Sequence, residues 1–399
     1  MNTQSSTKHT IQNLVSIVGQ QHVLTNDNDT RLYRQGRRYG SGQVLAVVVP
    51  GTLVEQWQVL KTAVYANCIV IMQAANTGLT GGSTPFGDDY DRPVILMSTR
   101  RLAGIQVINQ GQQVICLPGA TLDRLEKELA QFNREPHSVI GSSCIGASVL
   151  GGVCNNSGGA LVRRGPAYTE LALYARINDS GELELVNHLG VNLGETPEEI
   201  LNKLENKNYQ INDVINNAEC CASDHRYAHD VKQVDENTPA RFNADPSRLF
   251  EASGSAGKVC VFAVRLDTFE KIPSQVFYIG TNSHDDLTEI RRFLLKDLPR
   301  LPIAGEYIHR VAYDIGAEYG KDTFMFIEKF GTAKVPAAFA MKDKVDGYLE
   351  KFGLRGLSDK VLQIITKFMP NHLPKRMNEF RDLYEHHLVI RIENQDVEQ

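Results

Sequence analysis

Gln73-Ala74-Ala75-Asn76-Thr77-Gly78-Leu79-Thr80-Gly81-Gly82-Ser83 is the stretch whose reading decides the fold. An apolar run over residues 68–72 leads straight into it and predicts a buried strand. The stretch itself holds glycines, threonines, an asparagine and a serine, and no charge. Glycine lacks a Cβ and lets the backbone come close to a ligand. Successive N–H groups in such a turn form a concave anion site, which is the chemistry a pyrophosphate requires. There is no Gly-Lys-Ser/Thr ending, which excludes a nucleoside triphosphatase loop. The spacing of Gly78, Gly81 and Gly82 is not the dinucleotide fingerprint that opens a Rossmann helix. A tight surface loop that holds nothing is the alternative, and this stretch alone leaves it open.

A second segment, residues 141–159, is also rich in glycine and small polar residues. Two uncharged glycine-rich segments imply a long ligand threaded between them. The pair resembles the FAD-binding fold of the vanillyl-alcohol oxidase and p-cresol methylhydroxylase superfamily. The wider text, residues 134–148 and 164–170, is similar to the bacterial quinone-dependent D-lactate dehydrogenase family, in order and along the whole chain. The resemblance implies an α+β, two-subdomain FAD-binding fold, followed by a partial α/β cap and a basic helical membrane-binding region. It implies FAD contacts from Ala74, Ala75, Asn76, Thr77, Gly78, Gly82 and Ser83 in the first loop. The second segment would add Gly141, Ser148 and Gly158, and a later strand the backbone of Val261. The first loop has neither His nor Cys, so a covalent flavin bond through it is not expected.

Composition sets the outer bounds. The chain has 399 residues, room for roughly two or three domains. Its 42% hydrophobic and 22% charged content is that of a globular protein. A net charge of −5 gives no case for nucleic acid as partner. The 7 cysteines are odd in number and scattered, which argues against a disulfide framework and for a reducing compartment. No Cys-x-x-Cys occurs, so no zinc site is expected. The polar first ten residues do not read as a signal peptide. No run of about 18 apolar residues predicts a spanning helix, so any membrane role is expected to be peripheral.

Taken in order, the pattern predicts a helix over 11–24, a basic loop over 31–42, a strand over 45–49 and a helix from 53 to 64. Strands follow at 94–97 and 114–117, then a helix from Leu122 with Thr121 as N-cap. A hairpin spans 171–186 about Asp179-Ser180-Gly181. Residues 202–238 are polar and read as a surface excursion. A strand covers 259–266. Strand, helix and strand over 276–309 resemble the start of the family's cap.

Residues 341–381 combine Lys342, Lys344, Lys351, Arg355, Lys360, Lys367, Lys375, Arg376 and Arg381 with a run of apolar side chains. A basic amphipathic segment lies in a lipid interface. A solvated surface helix is the alternative, because acidic residues dilute the charge. The resemblance implies the membrane reading, with attraction of roughly 1 kcal/mol per exposed cation near an anionic surface.

Oxidising a 2-hydroxy acid requires a hydride acceptor, a base for the hydroxyl proton and a cation for the carboxylate. His309 and Arg310 are the candidates, with a surface pair as the alternative reading. His386-His387 is a second candidate base, and Arg163-Arg164 a candidate anion holder. His137, Cys144 and Cys154 read as packed residues. The expected domains are 1–268 for FAD, 269–310 for the start of the cap, 311–387 for the membrane-binding region and 388–399 for a truncated return to the cap. The resemblance implies oxidation of D-lactate to pyruvate, with electrons passed to a quinone on the anionic cytoplasmic face of the inner membrane; the alternatives are an FAD-linked dehydrogenase of another 2-hydroxy acid and an inactive FAD- and membrane-binding fragment. Members of the family continue beyond Gln399, so the return strands of the cap are expected to be missing and turnover to be poor.

Overall fold

The computed structural model describes residues 3–36, 39–138, 145–215, 219–240, 245–331, 334–354, 357–369 and 372–398. Contacts divide the chain into two units. The first comprises Met1–Gly158, Pro166–His225 and Phe242–Lys271. The second comprises Gly159–Gly165, Arg226–Arg241 and Ile272–Gln399.

In the first unit, apolar runs make a four-stranded sheet in the order Val23–Leu24, Ala46–Val48, Val94–Ser98, Ile69–Gln73. The last three strands are parallel, with Val48 and Met72 both opposite Met97. Every residue of Val94–Ser98 is buried, as a strand covered on both faces requires. The helix Leu53–Tyr65 starts at Thr52, whose side chain accepts from the Glu55 N–H. Its Leu53, Trp57 and Leu60 fall on one face and enter the core.

A second, wholly antiparallel sheet runs Ile105–Ile108, Gln113–Cys116, Cys260–Asp267, Ala172–Ile177, Leu183–Asn187. Ile105–Ile108 was not expected from the sequence; four residues give too little alternation to announce a strand. One core joins the two sheets through Ile95, Met97, Trp57, Leu173 and Phe262. The rings of Trp57 and Phe262 meet edge to face at 6.3 Å. Burying side chains of this size contributes about 1.5–3 kcal/mol each.

Two expectations for this unit are corrected. Asp27–Arg34 is a helix, not a loop; Asn26 caps it and Arg34 folds back on Asp27. The polar excursion begins inside a helix, Pro197–Glu205, whose Ile200, Leu201 and Leu204 are buried.

The second unit is built on a three-stranded antiparallel sheet, Ser274–Thr281, His386–Glu393, Ala304–His309. Here the sequence expectation fails. The strand at 386–393 is the centre of the sheet, hydrogen-bonded on both sides, and it starts two residues before the expected boundary at 388. The sheet ends at its two outer strands, Ser274–Thr281 and Ala304–His309. Between the outer and central strands lie five helices: Arg310–Tyr319, Lys321–Phe330, Val335–Lys351, Leu357–Phe368 and Lys375–Leu383. They leave large apolar side chains in the open, with Phe352 at 78% and Phe368 at 85% exposure. Among the described residues no helix is long and apolar enough to cross a membrane.

Candidate flavin site and a pair of buried histidines

The first glycine loop leaves the carboxyl end of the strand Ile69–Gln73, where ligands of parallel α/β sheets bind. Side chains hold it in shape. Buried Gln73 donates through Nε2 to the carbonyls of Tyr33 and Ser83, at 2.9 and 2.7 Å. Asn76, at φ 54°, donates through Nδ2 to the Gln35 carbonyl. Its Oδ1 accepts from Ser83 Oγ and Thr84 Oγ1, both at 3.0 Å. The backbone N–H groups of residues 76–83 donate to no group among the described residues. A turn pinned by side chains, with its amides uncommitted and no acidic side chain in it, is a fitting cradle for a pyrophosphate.

The glycines differ in what they do. A Cβ at Gly78 would meet nothing within 4 Å, so the backbone is open to an approaching ligand there. A Cβ at Gly82 would lie 3.7 Å from Asn155 Oδ1, which brings the two glycine segments side by side. Gly81 alone among the loop's glycines has a left-handed φ, +76°, and a Cβ there would lie 3.0 Å from the Tyr39 ring. The adjacent glycines at 81 and 82 were the only signal, and they do not say which takes the positive φ.

In the second segment Ser148 caps the short helix Val149–Cys154, its Oγ accepting from the Gly151 N–H. Gly158 lies near Pro166 just beyond the turn at Asn156. Gly141 and Cys144 lie outside the described residues. Val261 is buried at a bulge in the strand Cys260–Asp267, and its carbonyl accepts from Gln56 Nε2 at 3.2 Å. Pairing with Gln113–Cys116 begins only at Val264.

Cys68, Cys116 and Cys260 are buried thiols. Burial pushes Cys154 up to about 11 and Cys260 up to about 12. His137 is buried beside Ser138. Arg163 is committed within the second unit, to the Leu301 carbonyl and the Glu393 carboxylate, and is not a free anion holder. Among the described residues no group of three or more His, Cys, Asp or Glu is placed to hold a metal ion.

His309 and Arg310 stand where the strand Ala304–His309 turns into a helix. His309 Nδ1 accepts from the Val311 N–H, and Nε2 faces Glu385 at 3.1 Å. That contact holds the Glu385 carboxyl below its usual range. Arg310 donates through Nε to the Tyr384 carbonyl, and its two terminal nitrogens have no partner among the described residues. His386 and His387 are 1% and 0% exposed. Alternation along the strand sends their rings to opposite faces. His386 Nδ1 lies 2.8 Å from Tyr307 Oη, with the rings of His284 and His309 alongside. His387 Nδ1 lies 2.7 Å from Tyr278 Oη, beside Tyr313. Neither Nε2 has a partner among the described residues.

Of the basic side chains in 341–381, several are engaged. Arg381 forks onto Asp314, Lys342 meets Asp346, and Arg376 lies over the Phe380 ring. Lys375 stays largely in solvent. Arg355 lies outside the described residues.

A clamped glycine loop at the end of a parallel sheet, beside a second antiparallel sheet, defines an FAD-binding protein of the p-cresol methylhydroxylase fold. The solved structure of p-cresol methylhydroxylase with substrate bound superposes with TM-score 0.55 at 11% identity, covering 99% of this chain and 62% of that one. Alkyldihydroxyacetonephosphate synthase gives 0.55 at 11% identity, over 98% of this chain and 58% of that one. The FAD binding domain family matches residues 44–183, and the family described as D-lactate dehydrogenase, membrane binding, matches 276–399. The quinone-dependent D-lactate dehydrogenase of Haemophilus influenzae is 56% identical over 399 residues, 99% of this chain and 70% of that protein. That of Escherichia coli is 55% identical, over 98% of this chain and 69% of that protein. The chain belongs to the quinone-dependent D-lactate dehydrogenase family, and its cofactor is FAD.

Proposed function

We propose that this chain oxidises D-lactate to pyruvate and passes the two electrons to a membrane quinone. The supporting observation is the pinned loop with uncommitted amides over residues 76–83, in a chain of this family. FAD, when bound, supplies the hydride acceptor for the α-carbon. Ala74, Ala75, Asn76, Thr77, Gly78, Gly82 and Ser83 would hold its pyrophosphate, with Gly141, Ser148, Gly158 and Val261 lining the rest. Arg310, anchored by Nε, offers its free terminal nitrogens as a fork for the lactate carboxylate. His309 has both ring nitrogens engaged, so its role is to position Arg310 and Glu385. His386 is the better proton acceptor. With Nδ1–H donating to Tyr307 Oη, its Nε2 keeps a free lone pair.

In domain terms the flavin unit is 1–268, a cap begins at 269–310 and returns from His386 onward, and the helices between 311 and 385 are the membrane-binding region. The exposed apolar side chains of that region and Lys375 support a peripheral place on the anionic, cytoplasmic face of the bacterial inner membrane. An anaerobic mixture of purified protein, D-lactate and a quinone analogue tests the proposal: pyruvate and quinol should appear in equal amounts.

A further inference from the structure

One face of the three-stranded sheet carries His386; the opposite face carries a second set of groups that the oxidation of lactate does not use. There the helix Arg310–Tyr319 meets His387 through Tyr313, and the helix Lys375–Leu383 meets Tyr278 through Phe380. Tyr278 stacks on Phe380 with ring centroids 5.4 Å apart, and the Tyr313 ring lies 5.9 Å from that of His387. Two buried polar atoms in this aromatic nest, His387 Nε2 and Tyr313 Oη, have no partner among the described residues. A buried donor without an acceptor is costly, by about 1–3 kcal/mol, so each such pair calls for an explanation.

The chemistry of the two atoms narrows what satisfies them. In the tautomer in which the Tyr278 hydroxyl donates to Nδ1, His387 presents an N–H at Nε2. Burial pushes the Tyr313 hydroxyl above its ordinary range, so it keeps its proton. Both groups are therefore donors, walled by aromatic rings. Their complement is a flat molecule that only accepts hydrogen bonds. The same two helices expose Val311, Ile315 and Leu383, apolar surface of the kind an amphipathic ligand with a lipid-soluble tail requires. The two helices are clasped at the outside by Arg381 on Asp314, each next in sequence to one of the aromatic walls, Phe380 and Tyr313.

We propose that His387 and Tyr313 form the site for the carbonyl oxygens of the quinone head group, with the stacked Tyr278–Phe380 pair as one wall and the Arg381–Asp314 clasp at its edge. The inference rests on the quinone reading above and gives that acceptor a place. The head group binds by accepting two hydrogen bonds, and its tail leaves through the apolar rim.

The test uses the FAD-loaded full chain, D-lactate and two acceptors: a short-chain benzoquinone, and a soluble redox dye that needs no such site. Tyr313→Phe removes one donor and keeps the ring. It should raise the KM for the benzoquinone about tenfold, the loss of one hydrogen bond. D-lactate turnover with the dye should stay within about twofold, on the same scale. Phe380→Ala should raise the same KM through loss of a wall, and titration calorimetry with the benzoquinone should show the same loss of affinity in both variants. Unchanged quinone KM and affinity in both variants, with the wild type reducing quinone, overturns the site and points to buried water on the two donors. A wild type that reduces the dye but never the quinone overturns the acceptor reading itself, and the site with it.

Discussion

Asn76 Oδ1 accepts from Ser83 Oγ at 3.0 Å and so ties the start of the glycine loop to its end. The same oxygen accepts from Thr84, and Nδ2 of the same side chain donates to Gln35. Asn76→Ala strands two hydroxyls and a carbonyl in a buried setting, at a cost of about 1–3 kcal/mol. Thermal unfolding should show that loss. FAD titration should show affinity weakened by about tenfold or more, because the amides are no longer held in place.

Gly78 and Gly81 separate ligand binding from folding. At Gly81 a side chain meets both the Tyr39 ring and a left-handed φ, so Gly81→Val should lower the melting temperature through about 1–3 kcal/mol of backbone strain. At Gly78 the space is empty and φ is ordinary, so Gly78→Val should fold normally. If the pyrophosphate lies where we place it, Gly78→Val should still lose FAD. Normal FAD content in that variant would remove the loop from the cofactor site.

Much of the first unit was legible in the sequence, because its signals are local. The run before Gln73, the Thr121 cap and the turn at Gly181 each announce themselves within a few residues. The cap sheet was not legible in the same way. Its central strand pairs residues more than a hundred positions apart, Tyr278 with Val389 and Gly280 with His387. No local pattern states that pairing. Likewise His309 was visible as a histidine beside an arginine, but only the structure shows that both its nitrogens are engaged and that His386 has one to spare.

That difference is testable in kinetics. His386→Ala should lower kcat with D-lactate by about 10²–10⁴-fold, the range for a general base, with FAD content unchanged. Arg310→Lys should raise the KM for D-lactate more than it lowers kcat, because a point charge replaces a fork. A kcat for His386→Ala within about threefold of wild type on that scale would take the proton-acceptor role away from it.

The buried thiols set an alkaline limit. Cys260 is pushed up to about 12 from 9.0 by burial in the core between the two sheets. A raised folded-state value means its contribution is intact below about pH 9 and fades as pH climbs toward 12. Melting temperature should therefore fall above pH 9, and Cys260→Ala should flatten that part of the profile while costing stability at neutral pH. At pH 8 a thiol reagent should label the partly exposed Cys220 and Cys221 and spare Cys260 and Cys116.

The helical region between the outer and central cap strands should bind lipid by two terms. Flotation with anionic vesicles should be seen, and should weaken but not vanish as salt rises, since exposed side chains such as Phe352 and Phe368 add an apolar term that salt does not screen. Equal binding to neutral and anionic vesicles at low salt would remove the electrostatic term.

The central claim is that this chain holds FAD in the pinned loop and delivers D-lactate's electrons to it. The most direct measurement is the visible absorption of the purified, FAD-loaded protein under anaerobic conditions as D-lactate is added. The account predicts a bound flavin spectrum that bleaches on D-lactate, persists on L-lactate and returns when a quinone is admitted. A folded protein that takes up no FAD, or a bound flavin that D-lactate leaves oxidised, would contradict it.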